Sequence, residues 1–132
     1  MIYFLDTNIC IYHLNDSSPK LSELLEQTPS VDIKITSMAA AELIYGAEKS
    51  AKREYNLEKV KAFLSLYKIV PFDGKAAEIH GEIRAELERK GMIIGGNDLV
   101  IAATVLASGG TLITHNVGEF SRIAGLNVSD WT

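Results

Sequence analysis

The chain predicts an α/β domain with a mainly parallel central sheet, a single unit spanning residues 1–132. Three observations carry this expectation. Short apolar, β-branched runs recur along the chain. Segments with helical spacing of apolar residues separate them, and capping residues mark where those segments begin and end. Strands that alternate with helices favour a parallel sheet, because a parallel pair needs a crossover between its members.

Met1 to Leu5 is the first such run and ends on Asp6. Thr7 to Leu14 reads as a short helix. Ser18-Pro19 offers an N-cap followed by proline at the first helical position, and Leu21, Leu24 and Leu25 give that helix an apolar face. Val31, Ile33 and Ile35 alternate as a strand. Ser37 is placed to cap an alanine-rich helix running through Ala47. A charged helix follows from about Lys52 to Tyr67, with Leu57, Val60, Phe63, Leu64 and Tyr67 apolar. Ile69 to Phe72 is expected as a strand and Gly74 to Lys90 as a helix that Gly91 ends. Gly95-Gly96-Asn97 introduces an apolar helix from Asp98 to Ser108, closed by Gly109-Gly110. Thr111 to Thr114 is a further strand, and a last short one lies near Trp131.

Composition bounds the function classes. At 132 residues, 47% hydrophobic and 23% charged, the chain has the make-up of a soluble globular protein with a core of its own. The lone Cys10 sits in the apolar run Ile9-Cys10-Ile11, where a buried small hydrophobe is expected. One cysteine makes no internal disulfide, so a reducing cytoplasm is the natural compartment. No run approaches a membrane span or a secretory leader. A net charge of −4 excludes a protein that coats nucleic acid by charge alone. It leaves room for a nuclease, whose clustered acids count as negative until a metal offsets them.

Four stretches carry the chemistry: Phe4-Leu5-Asp6-Thr7-Asn8, Ala41-Glu42-Leu43, Gly96-Asn97-Asp98-Leu99 and Thr114-His115-Asn116-Val117-Gly118-Glu119-Phe120. Each sets an acid or amide at the edge of an apolar run. Acids distant in sequence but gathered in space repel one another unless a cation joins them, and oxygen donors of this kind suit hard divalent ions. In parallel sheets, sites form beyond the carboxyl ends of strands, where Asp6 and the Thr114–Asn116 segment are expected. Glu42 and Asp98 are expected in the first turns of helices.

In this order, and with Ile83 to Gly91, Gly125-Leu126 and Asp130-Trp131, these stretches resemble PIN-domain proteins over essentially the whole chain. Within that class they closely resemble the VapC toxins of bacterial type II toxin–antitoxin systems. The resemblance implies a PIN-like α/β/α sandwich and a Mg²⁺- or Mn²⁺-dependent endoribonuclease that hydrolyses RNA with metal-activated water. It carries Asp6, Glu42 and Asp98 over as the acidic, metal-binding core. Glu42 would bind metal directly or through water, or act on the attacking water. Family members often have an acid where this chain has Asn116, which is left to position metal or water, and Glu119 is a candidate for the missing charge. Thr7 and Asn8 orient Asp6 or meet a phosphate, and Thr7 is also a candidate helix cap. His115 invites a general-base reading, which metal activation of water makes unnecessary.

The resemblance further implies a homodimer, a VapB-like antitoxin whose tail fills a groove leading to the acids, and operator DNA bound only through that complex. The RNA it suggests is a tRNA, initiator tRNA at its anticodon loop in particular. Lys49, Lys52 and Arg53, and a second group of Arg84, Arg89, Lys90 and Arg122, are candidates for gripping it, although Glu82, Glu86 and Glu88 dilute the field of the second group. Ile44-Tyr45 and Phe63-Leu64-Tyr67 are candidate partner surfaces. The competing expectation is a catalytically weak, antitoxin-binding co-repressor module. An aspartate-nucleophile phosphatase would want a second aspartate where Asn8 stands, and no phosphate-binding P-loop motif is present.

Overall fold

A computed structural model describes all residues from Met1 to Thr132. Five parallel strands form one sheet in the order β3-β2-β1-β4-β5. They are β1 (Tyr3–Leu5), β2 (Ile33–Thr36), β3 (Lys68–Val70), β4 (Thr111–Ile113) and β5 (Asn127–Ser129). Seven helices connect and cover them: α1 (Thr7–Leu14), α2 (Pro19–Gln27), α3 (Ser37–Glu48), α4 (Arg53–Leu64), α5 (Gly74–Arg89), α6 (Gly96–Ser108) and α7 (Val117–Phe120). The chain steps outward from β1 to β2 to β3, then returns to lay β4 on the other side of β1. Right-handed crossovers therefore put the helices before and after that return on opposite faces, which makes the α/β/α sandwich. It also makes the gap between β1 and β4 a topological switch point, where a crevice opens at the strands' carboxyl ends.

The burial pattern explains why these residues form these elements. Phe4 and Leu5 on β1, Ile33 and Ile35 on β2, and Leu112 and Ile113 on β4 are all buried, as strands covered on both faces require. Helix α6 buries Leu99, Ile101, Ala102, Ala103, Thr104 and Val105, so most of its circumference is core. Strand β3, at the sheet edge, buries none of its residues and reads correspondingly polar. Cys10 is free and fully buried.

Several boundaries differ from expectation for local physical reasons. Val31 is 77% exposed in a 3₁₀ turn at Ser30–Asp32, because Pro29 precedes that turn and delays the strand to Ile33. Thr36, not Ser37, caps α3, its hydroxyl accepting from the Ala39 amide at 3.2 Å. The Ser37 hydroxyl instead accepts from the Phe72 amide. Helix α4 stops at Leu64, and Ser65 caps its own end by donating to the Ala62 carbonyl. Strand β3 accordingly begins at Lys68 and ends at Val70. Phe63 and Leu64 are core, which removes them as a partner surface, whereas Ile44 and Tyr45 are exposed.

The turn from α6 into β4 leaves no room for a side chain at Gly110. Gly109 adopts φ +76°, and a Cβ on Gly110 would lie 2.8 Å from the ring of fully buried Phe4 and 3.2 Å from the Ile2 carbonyl. Gly110→Ala must push Phe4 off β1, and overpacking of this kind costs about 1–3 kcal/mol. Gly81, inside α5, has nothing within 4 Å of its would-be Cβ. Gly81→Ala should therefore stabilise by about 0.5–1 kcal/mol. Denaturant midpoints of the two variants check this, and equal midpoints would refute the packing argument.

Candidate active site

Asp6 follows β1 immediately and is buried. Its backbone and side chain both serve the start of α1. The carboxylate caps the helix by accepting from the Ile9 amide at 2.8 Å, so Asp6 rather than Thr7 is the cap. Burial raises the Asp6 pKa above the ordinary carboxylate value. Hydrogen bonds from the Thr114 hydroxyl and the Ile9 amide oppose that rise, and repulsion from Glu42 and Asp130 adds to it. Thr114 is itself fully buried at the end of β4, so the two neighbouring strand ends meet at this carboxylate.

Glu42 lies in the second turn of α3, not the first as the sequence suggested, since that helix starts at Ser37. The helix dipole therefore contributes less to it than to Asp98. Side chains fix it instead: Thr7 donates to Oε1 at 2.6 Å and Asn97 donates to Oε2 at 3.3 Å. Thr7 thus orients Glu42, where Asp6 was expected. Asn8 is exposed and makes no side-chain hydrogen bond.

Asp98 is the third residue of α6, in its first turn. Its pKa is pushed up to about 7. Burial is the largest cause, followed by contact with Glu119 and repulsion from Glu119, Glu42 and Asp6. Glu119 is anchored by the Gly95 amide at 3.3 Å and by the Asn116 side-chain amide, while the Asn116 backbone N–H donates to the Thr114 hydroxyl at 2.9 Å. Asn116 therefore steadies Glu119 across the first turn of α7.

The fold thus draws Asp6, Glu42, Asp98 and Glu119 into one electrostatic neighbourhood from four different elements. None of them forms an ion pair with a lysine, arginine or histidine. The donors are all hard oxygens, which fits Mg²⁺ or Mn²⁺ by ligand type. No three acidic, histidine or cysteine side chains are spaced to enclose an ion in this arrangement. The fit is one of donor chemistry and charge.

Three residues near the site lie in stretches the sequence singles out but have no role assigned to them there. Thr114 and Asn97 act only as partners of acids, and nothing in their own spacing marks them. Asp130 reaches Asp6 electrostatically because β5 pairs with β4. Its carboxylate is held by Thr132 and contacts His115 Nδ1 at 3.1 Å. His115 also lies edge-on to Tyr12. Asp130 and Thr132 thus engage the His115 ring through Nδ1.

A groove of about 250 Å³ runs from Glu42 between α1, α3 and α4. Ile11, Leu14, Leu43, Ala47 and Val60 form its apolar floor, with Asn15, Asn56 and Lys59 at its rim. Of the candidate cations, Arg53 pairs with Glu48, Arg84 with Glu88, and Arg89 and Lys90 with Glu86. Arg122 donates to the Ile93 carbonyl. Lys49 instead places its ammonium 5.0 Å from the centre of the Tyr45 ring.

With this geometry in place, the comparisons with known proteins are decisive for the family. The PIN domain model matches residues 3–126, and the chain belongs to that family. Ribonuclease VapC2 of Rickettsia felis is 47% identical over 134 residues, covering 99% of this chain and 98% of that protein. A tRNA(fMet)-specific endonuclease VapC of Salmonella typhimurium is 40% identical over 129 residues, covering 98% of this chain and 97% of that one. The crystal structure of VapBC2 from Rickettsia felis bound to a DNA fragment from their promoter superposes with a TM-score of 0.92. There the identity is 44%, and each chain is covered over 100% of its length.

Crowded carboxylates leave a signature in the metal-free protein. A folded-state pKa for Asp98 above its unfolded value of 3.8 means that the folded chain holds the extra proton. The stability this contributes is complete below about pH 4 and is lost as pH rises through 7. Asp98→Asn should flatten that fall and raise stability at pH 8 by about 1 kcal/mol, a figure discounted because the side chain is half-exposed. Melting curves of both proteins in EDTA at pH 5 and pH 8 check it. Parallel pH dependence in the two would refute the crowding.

Proposed function

We propose that this chain is a metal-dependent endoribonuclease, the toxin of a toxin–antitoxin pair, acting on tRNA. The observation that carries the reading is the convergence of Asp6, Glu42, Asp98 and Glu119 at the β1–β4 switch point without a compensating cation. VapC relatives named as ribonucleases, one of them a tRNA(fMet)-specific endonuclease, supply the substrate class.

Asp6, Glu42 and Asp98 would hold the divalent ion. Bound there, it supplies charge neutralisation at a phosphodiester and a more acidic water. The chain's own residues do the rest. The Ile9 amide and the Thr114 hydroxyl keep the Asp6 oxygens in place, and Thr7 and Asn97 hold Glu42 facing the cleft. Asn116 and the Gly95 amide hold Glu119 in place. Attack by water on phosphorus leaves a 5′-phosphate and a 3′-hydroxyl.

The partner assignments follow the same relatives. The apolar groove that starts at Glu42 suits the tail of a VapB-like antitoxin, with operator DNA engaged through that complex. A homodimer and a single-domain organisation over residues 1–132 belong to the same proposal. No helix is long and apolar enough to cross a membrane. The co-repressor alternative is not favoured, since the acids a nuclease needs are all kept and held in place.

Antitoxin-free protein incubated with total tRNA and Mg²⁺ or Mn²⁺ should give discrete fragments. EDTA should abolish them, and Asp98→Asn should reduce the rate by at least about a hundredfold, the scale of losing a main electrostatic stabiliser. End mapping should find 5′-phosphates. Fragments ending in 2′,3′-cyclic phosphate would overturn hydrolysis by water, because they require attack by the ribose 2′-hydroxyl.

A further inference from the structure

We propose that Tyr45 and Lys49 form a short RNA-binding track that leads away from the acids along α3. This deepens the ribonuclease reading and rests on it. Glu42, Tyr45 and Lys49 stand at i, i+3 and i+7, so they share one stripe of the helix. Lys49 is the C-cap and keeps right-handed helical backbone, which preserves the stripe to its end. From Glu42 to Lys49 the stripe rises about 10 Å. That is roughly the length of three stacked nucleotides at 3.4 Å each.

The residues on the stripe have the properties a single strand needs. Tyr45 is 65% exposed and lies outside the core cluster, so its ring is open to a partner. Aromatic faces stack on bases irrespective of sequence, and unpaired loops are where RNA exposes such bases. The Lys49 ammonium stands over the Tyr45 ring and is free of any carboxylate, whereas nearby Arg53 is occupied by Glu48. A base on Tyr45 would bring its phosphate to the one cation on the stripe. In a chain of net charge −4 whose cleft is acidic, such a local grip would hold the strand beside the carboxylates.

A protein partner is the competing occupant of this surface. The geometry favours RNA because the apolar groove beginning at Glu42 lies on the other side of the stripe, along Leu43, Gly46 and Ala47. An apolar peptide is served there, and a cation paired with an aromatic is served less well by it.

The test compares Tyr45→Ala, Tyr45→Phe and Lys49→Gln in the full chain. Melting temperatures close to the wild type confirm folding, as expected for exposed positions. With tRNA as substrate, Tyr45→Ala should raise KM by about tenfold while kcat stays within about twofold. Tyr45→Phe should restore KM. Binding of fluorescently labelled tRNA, measured in the Asp98→Asn background, should show Lys49→Gln lowering the slope of log affinity against log salt by about 0.7–0.9. Unchanged KM and salt slope, with wild-type cleavage intact, would sink the track alone. Unchanged RNA kinetics combined with lost inhibition by antitoxin would also overturn it and assign the surface to the protein partner. Wild-type protein that neither binds nor cleaves tRNA would overturn the ribonuclease reading and the track with it.

Discussion

Mutual repulsion among carboxylates is the constraint around which this structure is arranged. Asp6, Glu42, Asp98 and Glu119 come from four elements; burial raises the cost of ionising Asp6 and Asp98, Glu42 adds to both, and Glu119 and Asp6 add further at Asp98. A loose chain would let them drift apart into water. They stay together because the backbone that carries them is committed elsewhere: Asp6 to the end of a central strand, Glu42 and Asp98 to helices packed on the sheet, Glu119 to a turn held by Phe120 in the core. The free energy of burying those elements offsets the repulsion, so the core is what makes the acidic cleft possible.

The neutral donors explain how the cluster tolerates the absence of a positive side chain. A lysine or arginine in the cleft would stabilise the acids but would also occupy the position a divalent cation needs. Hydroxyls, amides and backbone N–H groups stabilise ionised carboxylates more weakly and bring no charge of their own. Thr7, Thr114, Asn97 and Asn116 are all of this kind. Asn116 illustrates the principle. An acid in its place would add a fifth like charge beside Glu119, whereas the amide donates to Glu119 and sets its direction. Its contribution to the site is to aim a carboxylate, which accounts for a chain with an amide here keeping a full acidic set.

Much of the fold was legible because the parallel strands are buried on both faces and so read as apolar runs ending in polar residues. Asp6 and the Thr114 segment were legible for the same reason, since chain polarity places strand ends at the switch point. What escaped was decided by tertiary contact. Ser37 and Thr36 are equally able caps in sequence, and only the amide of Phe72, which occupies Ser37, separates them. Phe63 and Leu64 look like any apolar pair at a helix end until α4 packs down on α3. Asp130 is unremarkable in sequence and gains its influence on Asp6 through a strand pairing more than a hundred residues away. Thr7 was assigned to its neighbour Asp6 because local contacts are the easiest to imagine; its hydroxyl reaches 35 residues along the chain to Glu42 instead.

An acidic cleft that handles a polyanion must separate attraction from chemistry. Attraction by a broad basic face would serve any nucleic acid; this chain carries a net charge of −4, and three of its four arginines are paired with glutamates. Those pairs are exposed and contribute little to stability, but they remove long-range pull on a phosphate backbone. Affinity must then come from short-range contacts that only a suitably shaped strand can make. Stacking and a single cation discriminate an unpaired loop from a duplex, because a duplex keeps its bases occupied. The same acids that repel nucleic acid in general thus impose selectivity: a strand must first be fixed at its flanks before a phosphate can be brought among them.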